Sequence, residues 1–528
     1  MKSFEHVSRL LCACAAPFQD MPPLQRGLLA LVVVLHLGLG AALGLSVDEA
    51  HYALYAAHPA LSYFDHPPLV GWVQWPLVVL GAPDALLRLI PGALWLITVV
   101  LIYGVTLQWK AFVGASAQVA RSAAIWAVWL AMLAPLLHIL GVALVPDTLL
   151  MPLHLAVMGQ TLRILAHGSQ PVQRLQPWLV LGLLLGLAGL SKYTAIFSAV
   201  AVAVCLIRAY GRGLLVQRGP WLALLVAVAV ASPVAIWNAQ HGWISFTYQA
   251  QHGAGGSWSA LHVGRFALVQ ILAYGPLLLL GGLGLAGLPG RGRWPVAFFV
   301  LPMGVLATLS GGGTSLPHWT APAWVAFMPL AGMALAAMQA HRRTWLQVVV
   351  AFQLLCCLVP PALMLSGGMP FMAGQRASAE STDPPNPFAD LHGWQLAGAH
   401  ARQLAQERGI GSVSVQNWTL ASRMGWYARP LPVHVLENRF DQFDLWAGDL
   451  PAGGRTLLVD WSLMPYVIPL GTNGFDRCTP LATDTFHHWT YALAQFRYFD
   501  CEGWSGVPAP RLLPKAADTP STEPGSTP

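Results

Sequence analysis

The chain has 528 residues, of which 55% are hydrophobic and only 9% are charged, and its mean hydropathy is +0.55. Apolar runs of about 18 or more residues, the length that crosses a bilayer, recur along it. This composition excludes an ordinary soluble protein and predicts a polytopic α-helical membrane protein. The net charge of +6 is spread over many loops, which argues against a nucleic-acid partner.

In chain order, the pattern predicts a short cytoplasmic segment and then a large membrane domain. Segment 1–26 has only a short apolar stretch before Arg26, so we expect a lead-in rather than a cleaved signal peptide. The membrane domain, 27–372, is predicted to hold about 11 to 13 spans. An apolar piece at 69–81, interrupted by Pro76, is expected to be re-entrant or interfacial. The predicted spans are 27–46, 86–108, 124–145, 147–165, 178–190, 193–209, 220–237, 264–288, 294–311, 321–340 and 345–366.

The basic residues predict the orientation of these spans, because cytoplasmic loops carry an excess of Lys and Arg. With the N-terminus in the cytoplasm, fourteen of the seventeen basic residues in or beside the loops fall inside. An odd number of spans then places the C-terminus outside. The same orientation fits the return of charged residues near residue 373, where a soluble part begins.

That C-terminal part, 373–505, is predicted to be a small extracytoplasmic α/β domain behind a linker at 381–387. Cys478 and Cys501 could form one disulfide there, with two unpaired thiols as the alternative. The tail 506–528, rich in Pro, Ser and Thr, is predicted to be disordered. Helices are predicted at 394–408 and 420–427, and strands at 412–415 and 456–460.

Polar residues, which are expensive in a membrane, collect on one predicted side of it. Three acids and three histidines follow the first span closely, in SVDEAHY at 46–52, at His58, and in YFDHPP at 63–68. A transporter would place such groups near the middle of the bilayer. The pattern therefore favours an enzyme that acts at the outer leaflet on a lipid-linked substrate. Other polar residues on the same predicted side are Asp84, Arg88, Asp147, Lys192, Asn238, His241 and His318.

The charged residues of this group have chemical interpretations and structural alternatives. A carboxylate can take a proton from an acceptor hydroxyl, and the Lys192 ammonium suits a phosphate oxygen. Alternatively, Asp48 and Glu49 could cap a helix end, and Asp147, after a proline, could be an N-cap. Lys192 could instead extend to the interface. The dipeptide at 65–66 could simply build a turn.

Aromatic residues and histidines in the same loops allow two further interpretations. Trp237, Trp243 and Trp319 could stack on sugar rings or anchor the chain at the membrane interface. The spacing of the three histidines in the first loop matches no tight ligand motif, so no metal is predicted. No cofactor is expected either, and the chain has no Gly-rich nucleotide loop.

Several of these motifs resemble a known family. DEAHY at 48–52 with YFDHPPL at 63–69 is similar to the first external loop of GT-C glycosyltransferases. The nearest group is the bacterial glycosyltransferase family 39 type, related to protein O-mannosyltransferases and lipid A aminoarabinose transferases. Less specifically, RFDQ at 439–442 resembles the C-terminal domain of that group. Further similar segments are PDTLL at 146–150, GLSKYT at 189–194, WNAQHGW at 237–243 and PHWTAP at 317–322.

The resemblance implies a polyprenyl-phosphate-linked sugar as donor, used on the periplasmic side of a bacterial inner membrane. It implies that Asp48 is the catalytic base or positions the acceptor, with Glu49 beside it, and that Lys192 lies near the donor phosphate. Arg88 is a second candidate for that phosphate. His51 stands where an aromatic residue or an arginine is more usual in the family. The predicted substrate-positioning residues are His51, Tyr52, Asp65, His66, Asp147, Asn238, His241 and His318.

The predicted function is therefore a membrane glycosyltransferase whose acceptor is a lipid of the lipid A type, a glycan or a protein. The alternative is a transporter or flippase of lipid-linked sugars, which would need functional groups at mid-span, where His154 and His138 are the candidates. A non-catalytic membrane scaffold is a second alternative. It would leave the 48–66 cluster and Lys192 without a purpose.

Overall fold

The computed structural model of the chain describes residues 18–167, 173–254, 256–313, 315–338, 344–369, 371 and 386–508. The predicted lead-in up to residue 17, the linker at 381–385 and the tail from 509 lie outside the described residues. The chain divides into two compact units. The membrane unit comprises residues up to 42 and 55–360, and the C-terminal unit comprises 43–54 and the residues from 361 on.

The membrane unit is helical throughout its described part. Two helices, α2 and α17, contribute residues to both units. The helices are α1 (Pro23–Ala42), α2 (Val47–Ala57), α3 (Leu69–Val79), α4 (Asp84–Leu87), α5 (Leu89–Phe112), α6 (Ala117–Met132), α7 (Pro135–Leu140), α8 (Pro146–Leu165), α9 (Gln176–Ser191), α10 (Ile196–Tyr210), α11 (Arg218–Gln240), α12 (Ile244–Ala254), α13 (Ala260–Tyr274), α14 (Leu277–Ala286), α15 (Ala297–Leu309), α16 (Ala321–Ala337) and α17 (Leu346–Ser366).

Eight helical segments of the described chain are long and apolar enough to cross a membrane, and a bent helix pair would make a ninth. The chain is therefore a multi-pass membrane protein, as predicted, and the number of eleven or more spans remains a prediction. In α8 and in the segment Pro317–Ala337, 83% of the most apolar window is buried, against 6% in α17. Helix α8 and the segment Pro317–Ala337 thus form the centre of the unit.

Two predicted spans are not continuous helices, and prolines explain both errors. The span predicted at 124–145 is divided into α6 and α7, because Pro135 begins a new helix and Ala134 before it is extended. The span predicted at 264–288 is bent by 85° between α13 and α14. There Gly275 has a φ of +66°, and Pro276 lacks the N–H that a continuous helix would use.

Small residues allow the helices of this unit to approach each other closely. A Cβ added at Gly332 in α16 would lie 2.4 Å from the carbonyl oxygen of Ala123 in α6. A Cβ at Gly182 in α9 would lie 2.5 Å from the carbonyl oxygen of Ala223 in α11. In a bilayer such contacts replace the hydrophobic driving force that holds helices together in water.

The C-terminal unit contains a five-stranded mixed sheet with the strand order β2-β1-β3-β5-β4. Strand β1 pairs in parallel with β2 and β3, whereas β5 pairs antiparallel with β3 and β4. The elements from residue 394 on are α18 (Trp394–Arg408), β1 (Val413–Val415), α19 (Trp418–Tyr427), β2 (Val433–Val435), α20 (Gln442–Trp446), β3 (Thr456–Trp461), β4 (Phe475–His488) and β5 (Tyr491–Trp504).

The predicted small α/β domain is confirmed: both predicted helices are α18 and α19, and both predicted strands are β1 and β3. The long hairpin of β4 and β5 was missed. Its strands lie against each other so that Cys478 faces Cys501, and these two residues form a disulfide. Of the two alternatives for this cysteine pair, the structure shows the bonded one.

Candidate active site

A buried ion pair lies in the membrane unit where helix α8 begins and helix α9 ends. Asp147 is in the first turn of α8, and Lys192 directly follows the last residue of α9. The Lys192 ammonium donates to Asp147 Oδ2 over 2.6 Å, and the two side chains are 6% and 1% exposed. Lys192 thus does not extend to the interface. Nor is Asp147 an N-cap, because that position is Val145.

The turn Pro317–Thr320 adds two aromatic side chains to this pair. His318 Nε2 lies 3.7 Å from Asp147 Oδ2, and the Lys192 ammonium lies 5.3 Å from the centre of the Trp319 ring. Asp147 Oδ1 is buried and has no hydrogen-bond partner among the described residues. Three segments far apart in the sequence therefore meet around the Lys192 ammonium, whose described hydrogen bonds use one of its three N–H donors. This arrangement suits an anionic ligand.

A second cluster surrounds Asp65 in the first loop of the membrane unit. The Tyr55 hydroxyl donates to the Asp65 carboxylate, and the Tyr55 ring stacks on Tyr63 with 3.6 Å between the ring centres. From helix α12, Ser245 Oγ donates to the carbonyl of Tyr63 and Gln249 Nε2 to that of Asp65. The loop is therefore a rigid, hydrogen-bonded structure.

Helix α12 is itself held by Asn238, whose side-chain oxygen accepts from the backbone N–H of Ser245 over 3.2 Å. Asn238 thus supports the loop at 63–65 from behind. Sequence reasoning named Asp65 and Asn238 but missed Tyr55, Ser245 and Gln249. These residues lie outside the motifs, and only the fold brings them to the loop.

The other three candidate residues of the membrane unit make structural contacts. Arg88 Nη1 donates to the carbonyl of Gly40 over 2.9 Å. His241 stacks on Trp237, and its Nδ1 donates to the carbonyl of that same residue. The backbone carbonyl of His66 accepts from the Tyr63 N–H. In the described chain the side-chain partners of Lys192 are Asp147 and Trp319. The phosphate-binding role of Arg88 stays a prediction.

Of the two histidines predicted at mid-span, where a transporter would need functional groups, His154 has partners at both ring nitrogens. His154 is buried in α8, with Nδ1 2.7 Å from Ser198 Oγ and Nε2 3.0 Å from the carbonyl of Phe298. Both ring nitrogens thus bind neighbouring helices. This is a structural role, and it lends no support to transport.

In the C-terminal unit, Glu49 closes the first turn of α2. Ser46 N and Oγ donate to Glu49 Oε2 over 3.0 and 2.9 Å, and Glu49 N donates to Ser46 Oγ over 3.3 Å. Such reciprocal bonds form a capping box. Glu49, the predicted neighbour of the base, therefore caps a helix end, as the structural alternative in the sequence analysis expected.

His51, two residues later, is enclosed by aromatic rings of the same unit. Its Nδ1 lies 3.1 Å from Ser422 Oγ, which donates its own proton to the carbonyl of Trp418. Since that hydroxyl proton is used, His51 Nδ1 must be the donor. The surrounding rings, centred between 5.6 and 6.1 Å away, include Tyr52, Trp418, Phe443 and Trp446.

Asp48 acts electrostatically on a buried arginine that sequence reasoning missed. Arg423 lies between the rings of Trp394 and Trp461, 4.6 and 5.3 Å from their centres, and pairs with Asp390. Burial lowers the pKa of this guanidinium, and the negative charges of Asp390 and Asp48 oppose that effect. Asp48 is thus close enough to Arg423 to interact with its charge. The sequence signal that could have identified Arg423 is the presence of an arginine within the otherwise uncharged helix 418–427.

Asp441, in the RFDQ segment, also lies in this unit and accepts from the N–H of Phe443 over 2.7 Å. Burial, with the nearby Asp444 charge, raises the pKa of Asp441 to about 7, against the effects of the Phe443 N–H, His51 and Arg439. The folded state therefore binds a proton that the unfolded chain releases at lower pH. Stability contributed by protonation is present below the unfolded pKa of 3.8 and is lost as the pH rises to about 7.

We therefore expect the C-terminal unit to become less stable between pH 5 and pH 7, by on the order of a few kcal/mol. Asp441→Asn keeps the capping oxygen and should remove much of this pH dependence. Thermal unfolding of the full-length protein at pH 5, 6, 7 and 8 measures it, with Asp449→Asn at an exposed acid as the control. An unchanged pH dependence in Asp441→Asn would contradict the expectation.

The membrane unit matches a described family in sequence. The model for dolichyl-phosphate-mannose-protein mannosyltransferases matches residues 65–237. Lipid A galacturonosyltransferase RgtD of Rhizobium johnstonii is 25% identical over 300 residues, which cover 53% of this chain and 58% of that protein. The match thus spans less than two thirds of that relative.

The whole architecture has a counterpart among solved structures. ArnT from Cupriavidus metallidurans, bound to undecaprenyl phosphate, superimposes with a TM-score of 0.55 at 15% identity, over 92% of this chain and 99% of that one. Its apo form gives a TM-score of 0.53 at 16% identity, with the same coverage. The chain therefore has the fold of ArnT.

In sequence, the chain is thus similar to protein mannosyltransferases over residues 65–237 and to a lipid A galacturonosyltransferase over 300 residues. This finding confirms the resemblance that the motifs indicated.

Proposed function

We propose that the protein is a membrane glycosyltransferase that moves a sugar from a polyprenyl-phosphate donor to a lipid of the lipid A type, a glycan or a protein. The GT-C fold and the transferase relatives support the reaction class. The ArnT structure supports the type of donor, because that protein was solved with undecaprenyl phosphate. No cofactor or metal is part of the proposal, since the donor lipid carries its own leaving group.

The observation that carries the proposal is the buried Lys192 beside Asp147, His318 and Trp319. An ammonium has three N–H donors, and the described hydrogen bonds use one of them, to Asp147. The others can bind phosphate oxygens in a site shielded from water, where a charge interaction is strong. Trp319 offers a flat apolar face for the sugar ring or the first prenyl carbons.

In the proposed reaction an oxygen of the acceptor attacks the anomeric carbon of the sugar. The bond from that carbon to the phosphate oxygen breaks, and polyprenyl phosphate leaves with the electron pair. Lys192 stabilises the negative charge that develops on the phosphate. If the acceptor is a hydroxyl, its proton passes to Asp48; if it is a phosphate, no base is needed and Asp48 orients the acceptor.

We further propose that the reaction takes place on the periplasmic face of a bacterial inner membrane. The excess of basic residues in alternate loops supports an N-terminus in the cytoplasm and a C-terminal unit outside. The disulfide between Cys478 and Cys501 supports the same placement, because such bonds persist in oxidising compartments.

The experiment that tests the function is a transfer assay in liposomes, with a mixed pool of polyprenyl-phosphate sugars, membrane acceptors and mass detection. Wild type should form a sugar adduct, and Asp48→Ala should lose it. Asp48→Asn distinguishes the two roles of Asp48. If Asp48 is the base, the transfer rate should fall by about 10²–10⁴-fold. Near-normal transfer would show that Asp48 only orients the acceptor. If no adduct forms but the donor changes leaflet, the protein is a flippase.

A further inference from the structure

A cleft at the other end of helix α8 contains uncompensated positive charge. Asp147 is in the first turn of α8 and Arg163 in its last, which places them about 24 Å apart along the helix axis. Cavities of about 300 and 490 Å³ open there, and Arg163 and Ala166 line both. The cleft is therefore on the opposite side of the membrane unit from the Lys192 cluster.

The Arg163 guanidinium is held by neutral groups. The Gln108 side-chain nitrogen donates to the carbonyl of Gly159. The Gln108 side-chain oxygen then accepts from Arg163 Nη2 over 3.2 Å. Gln160 Oε1 accepts from Arg163 Nη1 at 3.5 Å. In the described part of the chain Arg163 has no ion pair with a carboxylate. Its charge is thus positioned but not neutralised.

The second arginine of the cleft, Arg291, is also held by an uncharged group. Its guanidinium lies 5.3 Å from the centre of the Phe112 ring, a cation–π contact that leaves the charge in place. The turn Gly290–Val296 that carries it is fixed because Trp109 Nε1 donates to the carbonyl of Gly292 over 2.9 Å. Among the described residues Arg291 also has no carboxylate partner.

Apart from Gln108, the other residues that line the first cavity are apolar. Together with the two guanidinium groups, they form a site with a positively charged end and a hydrophobic surface. No acidic residue is among the described residues that line either cavity; the apolar ones in the first are Ala111, Phe112, Leu162, Leu165 and Ala166. A glycerophospholipid has the matching chemistry, a phosphate beside acyl chains.

We propose that this cleft binds the headgroup phosphate of an anionic glycerophospholipid, with Arg163 and Arg291 as its two charged contacts. Because the cleft lies at the far end of α8, the site is separate from the proposed transferase site and does not depend on it. Bound lipid would hold α8, α5 and the 290–296 turn together at the membrane surface. The site would thus make the stability of the membrane unit sensitive to anionic lipid.

The test is a lipid titration of delipidated full-length protein, followed by native mass spectrometry. Phosphatidylglycerol should bind more tightly than phosphatidylcholine. Arg163→Gln with Arg291→Gln should weaken phosphatidylglycerol binding by about fivefold for each arginine removed and leave phosphatidylcholine unchanged. The matched control is Arg212→Gln with Arg218→Gln, which removes two exposed arginines that do not line the cavities.

Unchanged phosphatidylglycerol binding in the Arg163/Arg291 variant would overturn the proposal. An equal loss in the control variant would also overturn it, because the effect would then be one of general surface charge. A third arm adds inorganic phosphate as a competitor at the same concentration as the lipid. If phosphate displaced the lipid completely, the site would be one for a free anion and not for a phospholipid.

Discussion

Lys192→Met should lower the rate of sugar transfer by about 10²–10³-fold, the loss expected when one donor to a developing charge is removed. The leaving phosphate gains charge as the bond to the sugar breaks, so the loss should fall on kcat more than on KM for the donor. Steady-state kinetics with a defined polyprenyl-phosphate sugar measure both constants. Lys192→Arg should recover part of the activity, since it keeps the positive charge.

Lys110→Met is the matched control for this prediction, because it removes a lysine from the last turn of α5, away from the cluster. It should leave transfer near the wild-type rate. Equal losses in both variants would indicate a general effect on folding. Near-normal transfer by Lys192→Met would remove Lys192 from the mechanism and, with it, the main support for the proposed donor site.

The second large effect expected is on stability, because the charges of Asp147 and Lys192 are buried. Removing one partner leaves the other charge uncompensated, which costs about 3–5 kcal/mol in buried pairs. We therefore expect Asp147→Asn and Lys192→Met each to destabilise the protein strongly. The double variant leaves neither charge buried without its partner. Its loss of unfolding free energy should therefore be smaller than the sum of the losses in the two single variants.

Thermal unfolding of the four proteins in the same detergent, followed by tryptophan fluorescence, provides this double-mutant cycle. The double variant also serves the first prediction. If it folds well and is still inactive, the loss of transfer belongs to the removed Asp147 and Lys192 side chains rather than to misfolding. Additive effects of the two substitutions would show that the ion pair contributes nothing beyond its separate side chains.

Much of the fold could be predicted from local pattern. Apolar runs located most spans, and the alternation of helix and strand signals located α18, α19, β1 and β3. Prediction failed where the chain bends within an apolar run, as at Gly275 and Pro135, because hydropathy does not report backbone geometry. It failed again at β4 and β5, whose long strands are mostly half-exposed and so lack a strong hydrophobic period.

The candidate site divides in a similar way. The sequence named Lys192, Asp147 and His318 because charged groups at membrane boundaries are costly and therefore rare. It could not show that these three meet, nor that Glu49 is occupied in a capping box and Arg88 binds a backbone carbonyl. Arg423 was invisible for the same reason, since its partners come from distant segments.

The sequence by itself thus determined the class of protein, its membrane segments and the chemical type of its polar residues. These follow from composition, hydropathy and side-chain pKa values, which are properties of single residues and short windows. Only the tertiary structure decided which polar groups are paired, buried or left with spare donors. Pairing and burial depend on close contacts between helices far apart in the chain, and those contacts set the charge available at the Lys192 cluster and at the Arg163 cleft.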